Sequence, residues 1–444
     1  MAACGEIYVA AVRINKRTDE FTQFTPMGDK KSGTKDVVFA TYSGGVKTNR
    51  DAWTYNFSKP GLLKNMNATI KVYEEQRKEF SKQVDTGILK RTSQDVDRFV
   101  DTDTTKISWS SGLKNDLYKN KPSSYDSTRA VVSMYRPFCK QWLYFDRQWN
   151  DGVYRIPSLF PTPAHENKVI AVSGVGSRSQ FSVIATNCVP CLHLADASLG
   201  SQVFPRYHYV ETVADAKIKA DDELIDDEDP YERQDAISPQ TLESYQKHYG
   251  ADVTADDVFY YVYGILHSPE YRTRFASDLG KMIPRIPMVD AFCEFAAAGR
   301  QLADLHLGYE SIEPWPLDGM PGAEADETDL RVEKMRYGGT AREVDRSVIV
   351  VNNQITLSGI PEEAHRYEVN GRSALDWIID RYQVKKDKDS GITNDPNAWG
   401  IEHGDPRYIV DLIARIVRVS VETMKVVDGL AGLGCDMPVK NRWK

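Results

Sequence analysis

The sequence predicts a mixed α+β fold in which a β-rich centre lies between helical N- and C-terminal regions. Short runs rich in Val, Ile and Phe begin at about residue 123, and turn residues interrupt them roughly every 8–12 positions. Apolar residues at helical spacing, together with capping signals, occur on both sides of that segment. The chain has 444 residues, 41% hydrophobic and 27% charged, which is ordinary globular composition and allows about two to four domains.

The N-terminal region contains one strong helix signal. Leu62, Met66 and Ile70 fall near helical spacing and predict a helix over residues 60–83. The polar stretch 81–103 is expected to continue as helix. The strands that we predict in the first half are Val37–Tyr42, Lys168–Ser173, Phe181–Ala185, Cys188–Leu194 and Phe204–Val210.

The second half begins with an acidic run and then becomes helical. The acidic run 219–232 carries seven carboxylates clustered within residues 221–229 and predicts an exposed loop. Ser238-Pro239 and the pair Thr254 and Asp257 resemble helix starts. The further predicted elements are helices over 268–282 and 289–305, a loop over 319–328, strands at Leu330–Tyr337, Val348–Val351 and Gln354–Leu357, and a final helix that Asp405 caps and Pro406 begins.

These changes of pattern predict six divisions of the chain. They are a mixed α/β region (1–122), a β-rich core (123–218), an acidic loop (219–237), a helical region (238–310), a small β region (311–372) and a C-terminal helical region (373–444). We find no repeat at solenoid or propeller periods.

Charge is unevenly distributed along the chain. Residues 1–215 carry 29 Lys and Arg against 22 Asp and Glu, whereas residues 216–444 carry 27 against 42. The overall charge of −8 argues against a general polyanion binder, but a basic working face in the first half is compatible with it. The six scattered cysteines suit reduced thiols, and no apolar run reaches the roughly 20 residues of a membrane helix. The start of the chain lacks the pattern of a signal peptide, so we expect a soluble, cytoplasmic protein without a membrane partner.

Several catalytic motifs are missing. The sequence has no phosphate-binding P-loop, no G-x-S-x-G nucleophile elbow and no H-E-x-x-H zinc motif. It also lacks an Asn-Pro-Pro-Tyr-type tetrapeptide that could hold a flipped adenine. We therefore predict no catalytic residue, no metal ligand and no cofactor bound by this chain itself.

Two features could suggest a metal, and each has a simpler interpretation. Cys188 and Cys191, near His193, have the spacing of half a zinc site, but no second cysteine pair follows at finger spacing. Buried strand cysteines explain the pair better. The acidic run lacks the alternating ligands and fixed glycine of a calcium loop, so a solvated loop is the better interpretation.

The segment from Arg129 to Arg206 contains residue types that suit nucleic acid. Basic residues alternate with aromatic residues there, and we interpret the aromatic residues mainly as core. A polar, glycine-containing loop lies between two predicted strands, where small residues would allow close approach of DNA. We select as base-reading candidates the loop residues Ser177, Arg178, Ser179 and Gln180, and as phosphate contacts or structural anchors Arg136, Lys140, Arg147 and Arg155.

Four ordered motifs carry a resemblance to a known family. They are TNRDAWTYN at 48–56, YRPFCKQWLYF at 135–145, HSPEYR at 267–272 with PRIP at 284–287, and WIIDRYQ at 377–383 with NDPN at 394–397. Together they resemble the C-terminal specificity region of type ISP restriction–modification enzymes, from about Ile14 to Leu430. Parts of the second and third motifs also occur in related type II enzymes with fused methyltransferases.

The resemblance implies a function and partners. Enzymes of this kind join a nuclease, a helicase-like ATPase, an adenine-N6 methyltransferase and a target-recognition domain in a phage defence system. It implies that this chain recognises double-stranded DNA, and that S-adenosylmethionine, ATP and Mg²⁺ act in the full enzyme. The methyltransferase and helicase–nuclease domains are expected upstream or on a partner chain, which would make this chain an excised or split specificity domain. Region 1–122 would then pack toward the methyltransferase.

The resemblance also guides the choice of site residues. Members of the family read different targets with different loops, so base-reading residues should lie outside the shared motifs. That expectation favours the loop 177–180, and it makes Arg272 and Arg285 structural ties between the helices and the sheet. Two alternatives stay open, namely a protein-interaction scaffold without DNA readout and a metal-dependent hydrolase that uses the acidic run and a histidine.

Overall fold

The computed structural model describes residues 20–29, 36–212 and 229–434. It shows helices and many small sheets, which confirms the predicted α+β class. The helices are α1 (Asp51–Thr54), α2 (Lys59–Asp85), α3 (Ser93–Phe99), α4 (Ser111–Tyr118), α5 (Ile156–Leu159), α6 (Pro239–Tyr249), α7 (Ala255–His267), α8 (Pro269–Arg274), α9 (Ala276–Leu279), α10 (Phe292–Leu307), α11 (Glu327–Leu330), α12 (Ala374–Arg381), α13 (Asn397–Glu402) and α14 (Tyr408–Gly429).

The strands form two four-stranded sheets and several smaller ones. They are β1 (Thr25–Pro26), β2 (Ser43–Gly44), β3 (Tyr55–Asn56), β4 (Ala130–Arg136), β5 (Cys139–Tyr144), β6 (Val169–Val172), β7 (Val183–Thr186), β8 (Val189–Pro190), β9 (Gln202–Pro205), β10 (Tyr207–Glu211), β11 (Tyr231–Asp235), β12 (Arg285–Ile286), β13 (Arg336–Gly339), β14 (Val344–Val350), β15 (Thr356–Ser358), β16 (Glu368–Val369), β17 (Arg372–Ser373), β18 (Lys385–Lys386) and β19 (Thr393–Asn394). The larger sheets have the orders β2-β9-β6-β7 and β3-β5-β4-β8, and β13-β14-β15 form a third.

Strands β6 and β7 form an antiparallel hairpin at the centre of the molecule. All four residues of each strand are buried, as expected for continuous runs of β-branched and small apolar residues with both faces covered. The hairpin confirms the strands predicted at 168–173 and 181–185. It also places the polar loop of residues 174–180 at an end of the sheet.

Helix α2 confirms the helix predicted over 60–83. The side chain of Ser58 accepts a hydrogen bond from the Gly61 amide, and Pro60 occupies the first turn, where no amide donor is needed. The prediction that helix continues through 81–103 is wrong between α2 and α3. Gly87 adopts a φ of +76°, and Thr92 caps the separate helix α3.

The helices of the second half follow their capping signals. Ser238 caps α6, and Thr254 with Asp257 forms a reciprocal capping box at α7. The helix predicted over 268–282 is divided at Phe275 into α8 and α9. The start predicted for the final helix is wrong, because α14 begins at Tyr408 and not at Pro406, with Arg407 at its N-cap and no side-chain capping bond. Asp405 instead accepts a hydrogen bond from the Arg407 amide.

Three strand predictions in the first half of the chain are changed by side-chain and edge contacts, and the strand predicted at Leu330–Tyr337 begins only at Arg336. Val37–Tyr42 contributes only one isolated bridge, between Phe39 and Ile237. The run Phe204–Val210 is broken at Arg206, whose buried guanidinium is paired with Asp235 and Asp256 and turns the chain between β9 and β10. Cys188–Leu194 pairs only through the two residues of β8.

The predicted acidic loop lies partly outside the described residues, which resume at residue 229. Its last part is not a loop, because β11 pairs along its whole length with the open edge of β10. Such an edge offers unpaired backbone groups, and even the polar sequence of β11 can complete the ladder.

Three hydrophobic cores run across the predicted divisions of the chain. The first joins the sheet β3-β5-β4-β8 to α12, α14 and the sheet β13-β14-β15. The second surrounds α7 and α10 and includes one face of β6 and β7. The third packs α2, α3 and α4 around Trp149. The six divisions themselves stay a prediction.

Candidate nucleic-acid interface

One end of the sheet β2-β9-β6-β7 carries the polar loop. Strand pairing places Gly44, Gln202, Val172 and Val183 in one row across this end. The chain leaves the row at Val172 and returns at Val183, so the loop stands directly beyond the sheet. The outer strands of the row, β2 and β7, are three strand spacings apart, which is about 14 Å.

Backbone amides of the loop 174–180 donate hydrogen bonds that hold it in place, while two of its side chains have no partner among the described residues. Gly176, with a φ of +83°, donates its amide to Gly280 O at 3.1 Å. The Ser179 amide donates to Ser177 Oγ at 3.2 Å. Arg178 and Gln180 are exposed, and their side chains have no hydrogen bond or ion pair with the described residues. The loop thus presents an arginine and a glutamine to solvent.

A buried carboxylate fixes the root of this loop. Asp196 accepts hydrogen bonds from the Gly174 amide at 3.1 Å and from the amide and hydroxyl of Ser198 at 2.8 Å each. Burial acts to raise the pKa of Asp196, but the donors around it outweigh burial and hold that pKa below its ordinary value. Asp196 is therefore ionised and engaged at neutral pH, and its role is to position the loop.

The other edge of the same sheet carries Tyr154, an exposed aromatic residue that is not among the site residues predicted from the sequence. Tyr154 is 52% exposed and has a φ of +45°. Its ring lies against Gly44 and Gly152, where a Cβ atom would come within 3.2 and 3.1 Å of ring atoms. The prediction that the aromatic residues of this segment belong to the core is confirmed for Trp149 and Tyr144 and is wrong for Tyr154. Gly152, two positions earlier, is a local sequence signal for this placement, because its missing side chain leaves room for the Tyr154 ring.

The four other basic candidates divide into two kinds. Arg155 is exposed, with its guanidinium 5.6 Å from the Tyr42 ring centroid, and Arg147 is exposed without a hydrogen bond or ion pair to any described residue. Arg136 instead donates to Tyr135 O at 2.6 Å and lies 3.6 Å from Asp51. Lys140 is paired with Glu310. Arg136 and Lys140 are thus paired with acidic residues of the chain itself, and their role as phosphate contacts or structural anchors stays a prediction.

The pKa values of Arg136 and Lys140 follow from their partners. Burial acts to lower the pKa of Arg136, but its anionic and polar neighbours, Asp51 among them, outweigh burial and raise it. Burial likewise opposes the ammonium of Lys140, and Glu310 raises its pKa. Both side chains therefore stay charged at physiological pH.

Three of the four sequence motifs meet in the interior and form a scaffold. Asn394 Oδ1 accepts from the Phe57 amide at 2.9 Å, and its Nδ2 donates to Gln141 Oε1 at 3.1 Å. Tyr382 OH donates to Phe138 O at 3.2 Å. These contacts join the first, second and fourth motifs. The loop 174–180 lies outside all of them.

The third motif ties helices to the sheet and to the N-terminal segment, as expected. Arg272 Nη2 donates to Phe181 O at 2.5 Å, just before β7. Arg285 Nη1 donates to Thr22 O at 2.5 Å and Phe24 O at 2.6 Å.

The metal interpretations gain no support from the part of the chain that the structure describes. No group of three or more His, Cys, Asp or Glu residues converges there as metal ligands. Cys191 is buried, and its sulfur accepts a hydrogen bond from Arg136 at 3.1 Å. Residues 219–228 of the acidic run lie outside the described residues. In the same described ranges, no helix is long and apolar enough to cross a bilayer.

The comparisons with known proteins identify the family. The family model described as the Type ISP C-terminal specificity domain matches residues 37–412. The chain therefore belongs to the Type ISP C-terminal specificity domain family. No curated protein matched in the corresponding sequence search.

Three solved structures share this fold. A nuclease-deletion mutant of the Type ISP restriction-modification enzyme LlaGI, in complex with a DNA substrate mimic, is 32% identical with a TM-score of 0.78, and the match covers 94% of this chain and 35% of that one. The ATP-dependent Type ISP enzyme LlaBIII bound to DNA is 31% identical with a TM-score of 0.77, covering 93% and 24%. The DrdV–DNA complex is 30% identical with a TM-score of 0.73, covering 95% and 38%. This chain thus spans only about a quarter to two fifths of each of these proteins.

Proposed function

We propose that this chain recognises a specific sequence of double-stranded DNA as the target-recognition part of a type ISP restriction–modification system. The observation that carries the proposal is the loop 174–180. It stands beyond a fully buried hairpin, outside the motifs that build the scaffold, and presents Arg178 and Gln180 without partners among the described residues. The DNA-bound state of all three similar proteins supports it.

The chemistry of the loop suits the major groove. Arginine binds guanine O6 and N7 through two hydrogen bonds, and glutamine binds adenine N6 and N7 in the same way. The major groove is about 12 Å wide, and the end of the sheet is about 14 Å across. A loop at one edge of the sheet can therefore enter the groove while the other edge of the sheet stays beside the DNA backbone. Arg147 and Arg155 are the exposed cations that would contact phosphates and set the orientation.

The reaction steps belong to other domains in this proposal. The bound duplex would be held so that a target adenine can be flipped into an S-adenosylmethionine-dependent methyltransferase site. Translocation and cleavage would use ATP and Mg²⁺ in the helicase–nuclease part. The system would act in the cytoplasm against phage DNA.

The test is selection from a randomised duplex library. The chain is used at low and moderate salt, alone and with a methyltransferase-bearing partner, and the retained DNA is sequenced. We expect one short asymmetric sequence to be enriched. Arg178→Ala should relax the preference at one position and weaken specific binding by about 1–3 kcal/mol, because one bidentate base contact is lost.

A matched control separates readout from general charge. Arg342 is also exposed and has no hydrogen bond or ion pair with the described residues, but it lies in the distant β13–β14 turn. Arg342→Ala should leave the selected sequence unchanged. Enrichment that is indifferent to Arg178 would keep the function and move the reading site. No enrichment at any salt, even with the partner, would contradict the proposal and favour a scaffold without DNA readout.

A further inference from the structure

A cleft lies beside the loop 174–180, and the exposed residues Gln180, Ala276 and Gly280 are among those that line it. It has a volume of about 210 Å³ and separates the loop from α9. Ser177, Ser179 and Gln180 form one wall, and Ala276 and Gly280 form the other. Arg272 also lines it, so the cleft combines hydroxyl and amide groups with one cation.

The guanidinium of Arg272 is only partly satisfied by the protein. One Nη2 hydrogen is donated to Phe181 O, and the Cζ atom lies 5.8 Å from the Phe181 ring centroid. Within the described residues the Arg272 side chain has no ion pair and no other hydrogen bond. A guanidinium has five N–H donors in a planar fork, so most of its hydrogen-bonding capacity is unused.

Such a cation is costly to hold without an anion. Burial lowers the pKa of Arg272, and Tyr367 and Glu368 offset this only in part. Arg272 is half-buried and has no ion pair among the described residues, so a ligand that supplied a negative charge would stabilise it. The planar fork matches phosphate oxygens especially well, and the Ser179 hydroxyl of the facing wall is a further donor to such oxygens.

We propose that the cleft binds one backbone phosphate of the recognised duplex, with Arg272 as its main ligand. This inference rests on the proposed function, because the wall of the cleft is the base-reading loop itself. A phosphate held there would fix the loop relative to the groove while Arg178, which does not line the cleft, reaches the bases. Arg272 would thus combine a structural tie to Phe181 with a contact to DNA.

The test places a carboxylate in the cleft without touching either the loop or the Phe181 tie. Ala276 is exposed on α9 and lines the opposite wall, so Ala276→Glu can neutralise Arg272 in place of the ligand. Ala276→Gln has nearly the same shape without charge and is the matched control. Arg272→Lys, which keeps the charge but not the fork, is a second variant.

Two readouts are measured on the full chain. The first is the thermal midpoint in inorganic phosphate compared with chloride at equal ionic strength. We expect phosphate to raise the midpoint of the wild-type and Ala276→Gln chains, and to have no effect on Ala276→Glu. The second is duplex affinity against salt. Ala276→Glu should bind every sequence about tenfold more weakly and reduce the slope of log K against log salt by about one, because one phosphate contact is lost.

The outcomes distinguish this inference from the proposed function. Selection of a duplex with unchanged slope and phosphate response in Ala276→Glu would overturn the phosphate site and leave DNA recognition intact. A third outcome combines two results: Ala276→Glu loses the phosphate response, but no duplex is selected in the binding experiment. That outcome would overturn both the proposed function and DNA as the source of the phosphate. A changed base preference in Ala276→Glu, with an unchanged salt slope, would also overturn the phosphate site, since a phosphate contact carries no sequence information.

Discussion

At the residue scale, single polar side chains hold distant segments of this molecule together. Arg50, in the first motif, is the clearest case. Its guanidinium donates to Trp149 O at 2.6 Å, Ser110 Oγ at 2.6 Å and Ser108 O at 3.2 Å, and it pairs with Asp151 at 3.2 Å. Its side chain is 1% exposed. Burial lowers the pKa of Arg50, and the charge of Asp151 opposes this effect.

We therefore expect Arg50→Lys to be strongly destabilising although the charge is kept. An ammonium group cannot reach acceptors spread around a planar fork, so several buried acceptors would lose their donor. The free energy of unfolding should fall by about 3 kcal/mol, measured by denaturant unfolding with unchanged m-value. Arg98→Lys, at an exposed position of α3, is the control and should change stability by less than about 0.5 kcal/mol. An equally small effect at Arg50 would show that its bonds are replaceable.

At the scale of elements, the contact between α7 and α10 depends on two glycines. A Cβ atom at Gly299 would lie 1.8 Å from Tyr260 O, and one at Gly264 would lie 2.1 Å from Phe295 O. The helices therefore approach backbone to backbone. Neither obstacle is a flexible side chain, so even a methyl group requires the helices to separate.

Gly299→Ala should accordingly lower the stability by about 3 kcal/mol, which would appear as a clear drop in the thermal midpoint. This is the opposite of the usual benefit of alanine over glycine in a helix. Gly429, at the end of α14, serves as the control because a Cβ atom added there would have no neighbour within 4 Å among the described residues. Gly429→Ala should be neutral or slightly stabilising. Equal tolerance at both positions would mean that the two helices can move apart at little cost.

At the scale of the whole molecule, a buried histidine cluster links the helical region to the final helix. His306 bonds Tyr263 OH at 2.6 Å and Thr423 Oγ1 at 3.0 Å, and His267 bonds Tyr263 O at 2.9 Å. Burial lowers the pKa of His267 to about 3 and that of His306 well below its ordinary value, with His267 adding to the effect at His306. Both rings are neutral in the folded protein.

This cluster predicts acid sensitivity of the fold. The unfolded chain takes up protons at both histidines below about pH 6.5, whereas folded His267 does not until about pH 3. The unfolded state therefore binds more protons between these values, and the free energy of unfolding falls as the pH falls through this window. His267→Gln should flatten the decline measured by unfolding at pH 7 and pH 5. If the free energy of unfolding of His267→Gln fell as steeply between pH 7 and pH 5 as that of the wild type, groups other than His267 would cause the acid sensitivity.

Local sequence patterns were enough to predict the fold class, the main helices with their caps, the β6–β7 hairpin and the polar loop between its strands. Each of these depends on periodicity, capping chemistry and turn residues, which act over a few neighbouring positions. The four motifs were also visible in the sequence, and they indicated the family.

Only the three-dimensional packing shows which charged side chains are paired within the protein and which are available to a ligand. Arg136, Lys140 and Arg178 look alike in the sequence, yet the first two are paired with Asp51 and Glu310 and the third has no partner among the described residues. Tyr154 is exposed where its aromatic neighbours are buried, and Arg272 lines a cleft made by a loop about 90 positions away. Partners at such sequence distances are set by packing, because the free energy of a charge depends on burial and counterions that no local pattern encodes.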